Sequence, residues 1–448
     1  MQMKKKAIII GAGIAGIAAT LEAIDQGYEV LVLEARPYIG GRARSFTDKT
    51  TGEIIDNGQH VLMGCYGALL HVLRRLGTEN LLYRQKALSV TFFDQTGEAD
   101  TLDAGHLPGK LGIAAGILGL KKLSWKGRWQ ALVFAARLGL MSQQPVGETS
   151  LDFLRRMNQT EDTIQRLWEP LILATLNAHP STADATLLIE VLKRAFFGGR
   201  EASQMLIPRG GLSELLAPFI PYVESRGGQV RLSSSVESLR YNEETSAVSV
   251  IVDHEEIHAD MIISCVPPFA LHRFSDSALF SQDTYQFFSD IVFSPIVSLY
   301  MWFDRDFMGD MQFCALLQTV TQWVFNRRVL CECTEELREH YPGHIALTIS
   351  AGTQVVGEQA DDVVALCLEE LRVCFPAARE ATLVSWKVIK EKQATFLATP
   401  PIEARRPQQT TKAPNFFLAG DWSKTGLPAT LEGAAQSGIA AVRHACSN

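Results

Sequence analysis

The chain begins with an apolar, β-branched run, Lys6–Ile10, that leads directly into glycines spaced as GxGxxG. This order predicts a buried parallel strand, a tight turn and a helix over about residues 14–26. Gly11 allows the turn, Gly13 lets a pyrophosphate approach the backbone, and Gly16 lets the helix pack against the strand. The predicted phosphate-binding turn comprises Gly11, Gly13, Ala15 and Gly16, whose N–H groups and helix dipole favour an anion.

A second apolar run, Glu29–Leu33, follows at the distance expected in a βαβ unit and ends at Glu34. A carboxylate at this position can bind ribose hydroxyls and would repel a 2′-phosphate. The opening therefore predicts a site for a dinucleotide with an unphosphorylated ribose.

The same opening has some features of a secretory signal peptide, because three lysines precede an uncharged run over residues 7–21. We reject that alternative, since the glycines have dinucleotide spacing and Glu22 and Asp25 continue an amphipathic helix. We expect the protein to remain in the cytoplasm.

Length and composition allow two domains, each with a full core, in the 448 residues. The chain is 47% hydrophobic and 20% charged, as in globular proteins, and its net charge of −7 argues against nucleic acid as a partner. The eight cysteines include no CxxC pair, so we expect reduced thiols and no metal site.

The residues after the second strand indicate which dinucleotide is bound. Glu34, Ala35 and Arg36 lead into a Gly-Gly-Arg segment formed by Gly40, Gly41 and Arg42. This segment resembles the one in flavoproteins of the amine oxidase and phytoene desaturase superfamily. The resemblance implies FAD, with the adenosine ribose at Glu34 and Ala35 and the pyrophosphate near Gly41 and Arg42.

The segment Asp-Asn-Gly-Gln-His, residues 56–60, is more specific. It resembles the bacterial hydroxysqualene dehydroxylases, and the superfamily places this segment, including Asn57, Gly58 and Gln59, beside the flavin. His60 is then a candidate proton donor, because imidazole exchanges protons near neutral pH. Asp56 is the second candidate, although a carboxylic acid would need burial to raise its pKa. His60 could equally be a residue that only orders the loop by hydrogen bonding.

Further motifs extend the resemblance along most of the chain. Val236 stands where the superfamily brings a backbone group to the adenine, and Glu-Lys-Gln-Ala-Thr-Phe at 391–396 resembles the dehydroxylases. In the C-terminal stretch, the resemblance implies that Asp421 binds the ribityl chain and that the next helix points its N-terminus at the flavin. The residues implied at that end are Gly420, Asp421, Leu427, Pro428, Ala429 and Thr430.

The resulting prediction is an α/β flavoprotein with a Rossmann-like FAD-binding domain and an inserted α+β substrate domain. The FAD domain would comprise residues 1–90, 205–270 and 408–448, and the substrate domain residues 91–204 and 271–407. The resemblance implies reduction of hydroxysqualene to squalene, in hopanoid or sterol precursor synthesis, with an external donor recharging the flavin. A carotenoid-type desaturase, a flavin amine oxidase and a non-enzymatic prenyl-binding escort are the alternatives.

Residues 107–140 contain six lysines and arginines and no acid, although the whole protein is acidic. Basic residues combined with Trp125, Trp129 and apolar runs suit a segment that lies in a membrane interface. No uncharged apolar run is long enough to span a bilayer. We therefore expect a cytoplasmic protein with peripheral contact to the inner face of the cell membrane. The alternative is a pair of ordinary helices with lysines on the wet face.

Overall fold

The computed structural model of the protein describes residues 4–105, 107, 109–275 and 277–447. Residues 1–3, 106, 108, 276 and 448, which fall within the predicted domain segments, lie outside the described residues; residue 108 also belongs to the stretch 107–140. The strands are β1 (Lys6–Ile10), β2 (Glu29–Leu33), β3 (Ser45–Thr47), β4 (Ile54–Asp56), β5 (Leu62–Met63), β6 (Leu82–Arg84), β7 (Ser89–Phe93), β8 (Ala99–Asp103), β9 (Met205–Pro208), β10 (Gln229–Arg231), β11 (Val236–Asn242), β12 (Ala247–Val252), β13 (Glu255–Ile257), β14 (Met261–Ser264), β15 (Phe293–Phe303), β16 (Phe313–Leu316), β17 (Trp323–Asn326), β18 (Gly343–Ile349), β19 (Leu383–Phe396) and β20 (Phe416–Leu418).

The helices are α1 (Ile14–Asp25), α2 (Gly67–Leu76), α3 (Gly109–Gly119), α4 (Trp125–Leu140), α5 (Ser150–Arg156), α6 (Glu161–Thr163), α7 (Glu169–Leu176), α8 (Ala185–Phe197), α9 (Leu212–Leu216), α10 (Phe219–Glu224), α11 (Pro268–Phe274), α12 (Gln282–Asp290), α13 (Arg327–Leu330), α14 (Glu335–His340), α15 (Ala360–Cys374), α16 (Pro400–Ala404) and α17 (Leu431–Ser447). Short 3₁₀ turns cover Glu79–Leu81, Ser277–Leu279, Gly352–Gln354 and Pro376–Arg379, and a π-helical turn, Ile164–Trp168, joins α6 to α7.

A parallel five-stranded sheet in the order β10-β2-β1-β14-β20 holds the cofactor motifs. Its strands come from three separated parts of the chain, as the predicted fold class requires. The central strands are buried because helices cover a parallel sheet, which explains the continuous apolar runs in the sequence. Helix α17 packs directly on α1, where a Cβ on Gly438 would lie 2.1 Å from the carbonyl oxygen of Ala15. The bounds of the two predicted domains stay a prediction.

A second, mostly antiparallel sheet has seven strands in the order β19-β15-β18-β17-β16-β7-β8. Successive side chains of a strand point to opposite faces, so each strand serves two environments. One face carries Val297, Leu299 and Met301 and packs against the buried side of α15. The other face is covered by α3, α4, α7 and α8, and an internal cavity lies between the helices and the sheet.

The elements predicted for the opening, β1, α1 and β2, lie where the sequence places them, and two features elsewhere have local causes. The π-helical turn Ile164–Trp168 lies just before Glu169 and Pro170, because the proline ring has no N–H to donate to the previous turn. Strand β19 is long, from Leu383 to Phe396, because it pairs with β15 along nearly its whole length. Within the described part of the chain, no helix combines the length and apolar composition needed to cross a bilayer.

Candidate flavin site and active site

One cavity of about 1130 Å³ runs from the edge of the parallel sheet to the helices above the seven-stranded sheet. Pockets for single small ligands typically measure roughly 300–1,000 Å³, so this cavity exceeds the usual range for one ligand. Eighteen of the twenty residues predicted to bind or react line its wall: Gly11, Gly13, Ala15, Glu34, Ala35, Gly41, Arg42, Asn57, Gly58, Gln59, His60, Val236, Gly420, Asp421, Leu427, Pro428, Ala429 and Thr430. The two that do not are Gly16 and Asp56.

The glycine-rich turn has the shape of a phosphate cradle. Gly13 is the N-cap of α1 and has no side chain to satisfy the first N–H groups of the helix. A Cβ on Gly13 would find its nearest neighbour, Gly41 Cα, only at 4.0 Å, so the space beside it is open to a ligand. Gly16 differs, because a Cβ there would lie 1.8 Å from the carbonyl oxygen of Gly11. Gly16 therefore allows helix α1 to pack on the turn.

Glu34 is buried at the end of β2, and its carboxylate faces the glycine turn. One oxygen accepts a hydrogen bond from the N–H of Ala12 at 2.7 Å, and the other accepts from the N–H of Arg36 at 2.9 Å. These bonds fix the carboxylate while leaving each oxygen a further lone pair. The group can therefore accept hydrogen bonds from vicinal hydroxyls.

Arg42 and Asp421 bring the two ends of the chain together in the middle of the cavity wall. A guanidinium nitrogen of Arg42 donates to the Asp421 carboxylate at 2.6 Å, and another donates to the carbonyl of Ala394 at 2.8 Å. Gly420, which precedes the acid, has a φ of +143°, and a Cβ there would meet the Trp422 ring at 2.4 Å. Glycine at 420 thus allows the turn that aims Asp421 at the cavity.

His60 lies in the loop between β4 and β5 and lines the cavity. Its ring Nδ1 is 2.7 Å from the carbonyl oxygen of Gly58. A carbonyl can only accept, so we assign the proton to Nδ1 and leave Nε2 for a ligand. The loop is ordered further by Arg327, which donates to the side-chain oxygen of Gln59 at 3.1 Å.

Asp56 occupies a different environment from His60. Its side chain is buried, and one carboxylate oxygen accepts hydrogen bonds from the Ser45 hydroxyl at 2.6 Å and from the Leu212 N–H at 2.9 Å. These partners tie the loop to β3 and α9. The structure therefore places His60 on the cavity wall and Asp56 behind it.

A buried ionic cluster behind this loop was missed by sequence reasoning. Arg328 donates to both oxygens of Glu53, and Nδ1 of the fully buried His344 is 2.7 Å from the same carboxylate. Burial raises the pKa of Glu53, but hydrogen bonds from His344 and Arg328 outweigh it and lower that pKa to about 2. Burial, with the charges of Arg327 and Arg328, lowers the pKa of His344 to about 4, so its ring is neutral at pH 7.

Glu432, within the C-terminal motif, also has a role that the sequence did not predict. Its carboxylate accepts hydrogen bonds from the N–H groups of Ala68 at 3.0 Å and Leu69 at 2.9 Å, at the start of α2. Helix α2 has no side-chain cap of its own, so Glu432 satisfies its first donors. Burial raises the pKa of Glu432, although those backbone N–H groups oppose the shift.

The part of the cavity beyond His60, here called the apolar chamber, is lined mainly by apolar side chains, many of them from α3 and α4. Its walls are aliphatic and aromatic side chains that include Leu102, Phe134, Trp168, Phe196 and Phe325. Leu111 both lines the cavity and is 64% exposed, which places a mouth at the start of α3.

The glycine turn and Glu34 form a dinucleotide cradle, and this cradle is joined to the apolar chamber. Comparison with known proteins identifies the family. A sequence model described as "Flavin containing amine oxidoreductase" matches residues 14–446. The chain belongs to this flavin amine oxidoreductase family. The family resemblance inferred from the sequence motifs is confirmed, and the protein is an FAD-dependent oxidoreductase.

Individual relatives and structures of this family add detail. The chain is 31% identical over 443 residues to a hydroxysqualene dehydroxylase from Sinorhizobium fredii, with 97% of each chain covered. It is 25% identical over 460 residues to a 15-cis-phytoene desaturase from Synechococcus elongatus, covering 96% of this chain and 93% of the relative. The fold is similar to that of an oxidoreductase from Methanosarcina mazei, with a TM-score of 0.75 at 16% identity, covering 97% and 99% of the two chains.

The geometry of the cavity fits the FAD of the flavin amine oxidoreductases. The open space beside Gly13 admits a pyrophosphate, and the Glu34 carboxylate can receive ribose hydroxyls. Within the described ranges, no three histidine, cysteine, aspartate or glutamate side chains form a set that could hold a metal ion.

Proposed function

We propose that the protein reduces hydroxysqualene to squalene. The observation that carries the proposal is the continuity of the cavity, which joins the dinucleotide cradle to an apolar chamber past His60. The relative from Sinorhizobium fredii, named for this reaction, supports the choice of substrate. The product would serve hopanoid or sterol precursor synthesis.

The proposed reaction breaks the C–O bond of an allylic alcohol. The hydroxyl takes up a proton and leaves as water, and the carbon left behind is a delocalised cation that accepts a hydride. FAD, when bound in its reduced form, supplies that hydride. Hydroxysqualene, one hydride and one proton thus give squalene and water, and an external electron donor must restore the reduced cofactor after each turnover.

His60 is the proton donor in this proposal. Its Nδ1–H is held by the Gly58 carbonyl, so a proton carried on Nε2 faces the chamber. Hydroxide is a poor leaving group, and general acid catalysis typically contributes ~10²–10⁴-fold. The apolar walls around the reacting carbon exclude water, which would otherwise capture the cation.

The cofactor contacts are part of the same proposal. Glu34 and Ala35 would hold the adenosine ribose, Gly11, Gly13 and Ala15 the pyrophosphate, and the start of β11 at Val236 the adenine. Arg42 would lie near the pyrophosphate and Asp421 at the ribityl chain. The remaining predicted contacts are Gly41, Asn57, Gly58, Gln59, Gly420, Leu427, Pro428, Ala429 and Thr430, all of which line the cavity.

Peripheral contact with the inner face of the cell membrane would give the hydrocarbon a dry route into the chamber. Trp125 is 70% exposed and Trp129 60% exposed, one helical turn apart on α4, and Leu111 stands at the cavity mouth. Exposed tryptophans beside lysines suit the headgroup region of a bilayer. Not every basic residue of this stretch is available for lipid, because Lys122 is paired with Glu98 and lies 3.4 Å from Asp94.

Two rival functions make different demands on the cavity. An amine oxidase requires an aromatic cage at the flavin face, but the segment before Glu432 and Gly433 is Ala429-Thr430-Leu431. A carotenoid-type desaturase would use a similar apolar chamber in the oxidative direction, and it has no need of a proton donor for a leaving hydroxyl. His60 on the cavity wall favours the dehydroxylase.

The decisive experiment is anaerobic incubation of the purified protein, reduced with dithionite, with hydroxysqualene, followed by product analysis. We expect squalene in an amount equal to the reduced flavin consumed. Parallel incubation of the oxidised protein with phytoene tests the desaturase alternative. Desaturated phytoene, with no squalene from hydroxysqualene, would overturn the proposal.

A further inference from the structure

Three polar residues form a row across the floor of the chamber. Ser298 of β15 is paired with Thr348 of β18, and Thr348 is paired in turn with Trp323 of β17. Residues directly opposite one another in an antiparallel sheet point to the same face. All three line the cavity, so this row of Ser298, Thr348 and Trp323 faces the chamber.

The polar atoms of this row have no protein partner. The hydroxyls of Ser298 and Thr348 and the indole N–H of Trp323 are buried and form no hydrogen bond with any described residue. Other buried polar atoms also lack partners, but among the described residues only these three belong to the cavity wall. Leaving a buried donor or acceptor unpaired costs about 1–3 kcal/mol, so three in one row call for an explanation.

The position of the row relates it to His60. The Ser298 hydroxyl lies directly under the His60 loop, since a Cβ placed on Gly58 would be 3.0 Å from it. Gly58 is also the residue whose carbonyl fixes the His60 ring. Away from the row, the same sheet face presents Phe92, Ile296 and Phe325 to the cavity. The row therefore offers a ligand hydroxyl three unpaired hydrogen-bonding groups close to the His60 loop.

We propose that the row of Ser298, Thr348 and Trp323 is the subsite that binds the hydroxyl of the substrate and positions it for protonation. This inference rests on the proposed function. The indole N–H can only donate, whereas the two hydroxyls can donate or accept. The row can therefore hold the oxygen first as an alcohol and then as departing water. A hydrocarbon without a hydroxyl leaves all three groups unpaired, so the row also discriminates against the product.

The test compares two ligands that differ only in that hydroxyl. Hydroxysqualene and squalene are titrated separately into the oxidised holoenzyme, and binding is followed by the change in the visible flavin spectrum. We expect the wild type to prefer hydroxysqualene. Thr348→Val, Ser298→Ala and Trp323→Phe should each reduce this preference by roughly tenfold, the effect of one lost hydrogen bond, while leaving squalene affinity unchanged.

The matched control is Thr91→Val. Thr91 lies on β7 of the same sheet, its hydroxyl is 3.1 Å from that of Thr101, and it does not line the cavity. The control should keep the wild-type preference. Flavin content and thermal midpoint confirm that each variant is folded. Because the three variants are tested separately, the experiment remains informative if one of them does not fold.

The outcomes separate this inference from the function on which it rests. If the wild type prefers hydroxysqualene and all three folded variants keep that preference, the row does not bind the hydroxyl and the inference is wrong. If the reduced wild type makes no squalene from hydroxysqualene, the proposed function is wrong, and the inference that rests on it is wrong too. If the wild type forms squalene but binds the two ligands equally, the inference alone is overturned.

Discussion

His60 Nδ1 lies 2.7 Å from the carbonyl oxygen of Gly58, two residues earlier in the same loop. This contact fixes both the ring orientation and the tautomer, because the carbonyl accepts and Nδ1 must donate. It holds in the neutral and in the protonated ring. Protonation therefore changes only Nε2, which is the arrangement that a proton donor facing the cavity needs.

Removal of this imidazole should slow chemistry without loss of cofactor. We expect His60→Ala to keep its FAD and visible spectrum, and its reduced form to be reoxidised ~10²–10⁴-fold more slowly by hydroxysqualene. Anaerobic stopped-flow absorbance in single turnover measures this rate. His71→Ala, which removes an exposed histidine of α2, is the control. A wild-type rate in His60→Ala would mean that His60 only orders the loop.

The glycine turn offers a paired test of cofactor binding against folding. Gly13→Val should fold but lose FAD, because its side chain would enter the open space beside the turn. Gly16→Val should fail to fold, because its Cβ would meet the Gly11 carbonyl oxygen at 1.8 Å. Flavin absorbance per protein and circular dichroism distinguish the two. Full flavin content in folded Gly13→Val would refute the placement of the pyrophosphate.

The ribose contact is tested at Glu34. A hydrogen bond to a charged group contributes about 1.5–3 kcal/mol, so we expect Glu34→Ala to bind FAD roughly 10- to 100-fold more weakly. Titration of the apoprotein with FAD, followed by flavin fluorescence, gives the affinity. Glu29→Ala, an exposed glutamate on the same strand, serves as the control. Equal affinities of the two variants would remove Glu34 from the site.

Local patterns predicted much of this fold and of the cradle. Strands β1 and β2 lie at their predicted bounds, because short apolar runs next to glycine turns or charged residues have few alternatives. Gly13, Glu34 and Asp421 line one cavity as expected, since parallel strands deliver their carboxyl ends to the same edge of a sheet.

What the sequence did not reveal depends on contacts between distant residues. Nothing near Ser298 indicates that it pairs with Thr348 and lies under Gly58, because strand register is set by the whole sheet. The cap that Glu432 provides for α2 likewise joins residues more than 360 positions apart. Lys122 lies in a stretch without acids, and its ion pair with Glu98 forms only because the fold brings the ends of β8 and α3 together.

Membrane contact should depend on the exposed face of α4. We expect Trp125→Ala combined with Trp129→Ala to reduce sedimentation with liposomes, because both rings are largely exposed. Replacing Lys121 and Lys126 with glutamate should weaken binding to anionic liposomes by about 1 kcal/mol per lysine and have little effect on neutral ones. Trp386→Ala, an exposed tryptophan on β19, is the control. Unchanged sedimentation would make α4 ordinary surface.

The cluster around Glu53 predicts how stability depends on pH. His344 has its folded-state pKa lowered to about 4, so between its ordinary value near 6.5 and pH 4 the unfolded chain binds a proton that the folded chain excludes. Stability should therefore fall by about 3 kcal/mol as pH decreases across that window, and Glu53 extends the loss towards pH 2. Urea midpoints at pH 7, 5.5 and 4.5 measure it. His344→Gln should flatten the dependence, whereas the exposed-site control His71→Gln should not. An unchanged slope in His344→Gln would show that His344 is not the group responsible.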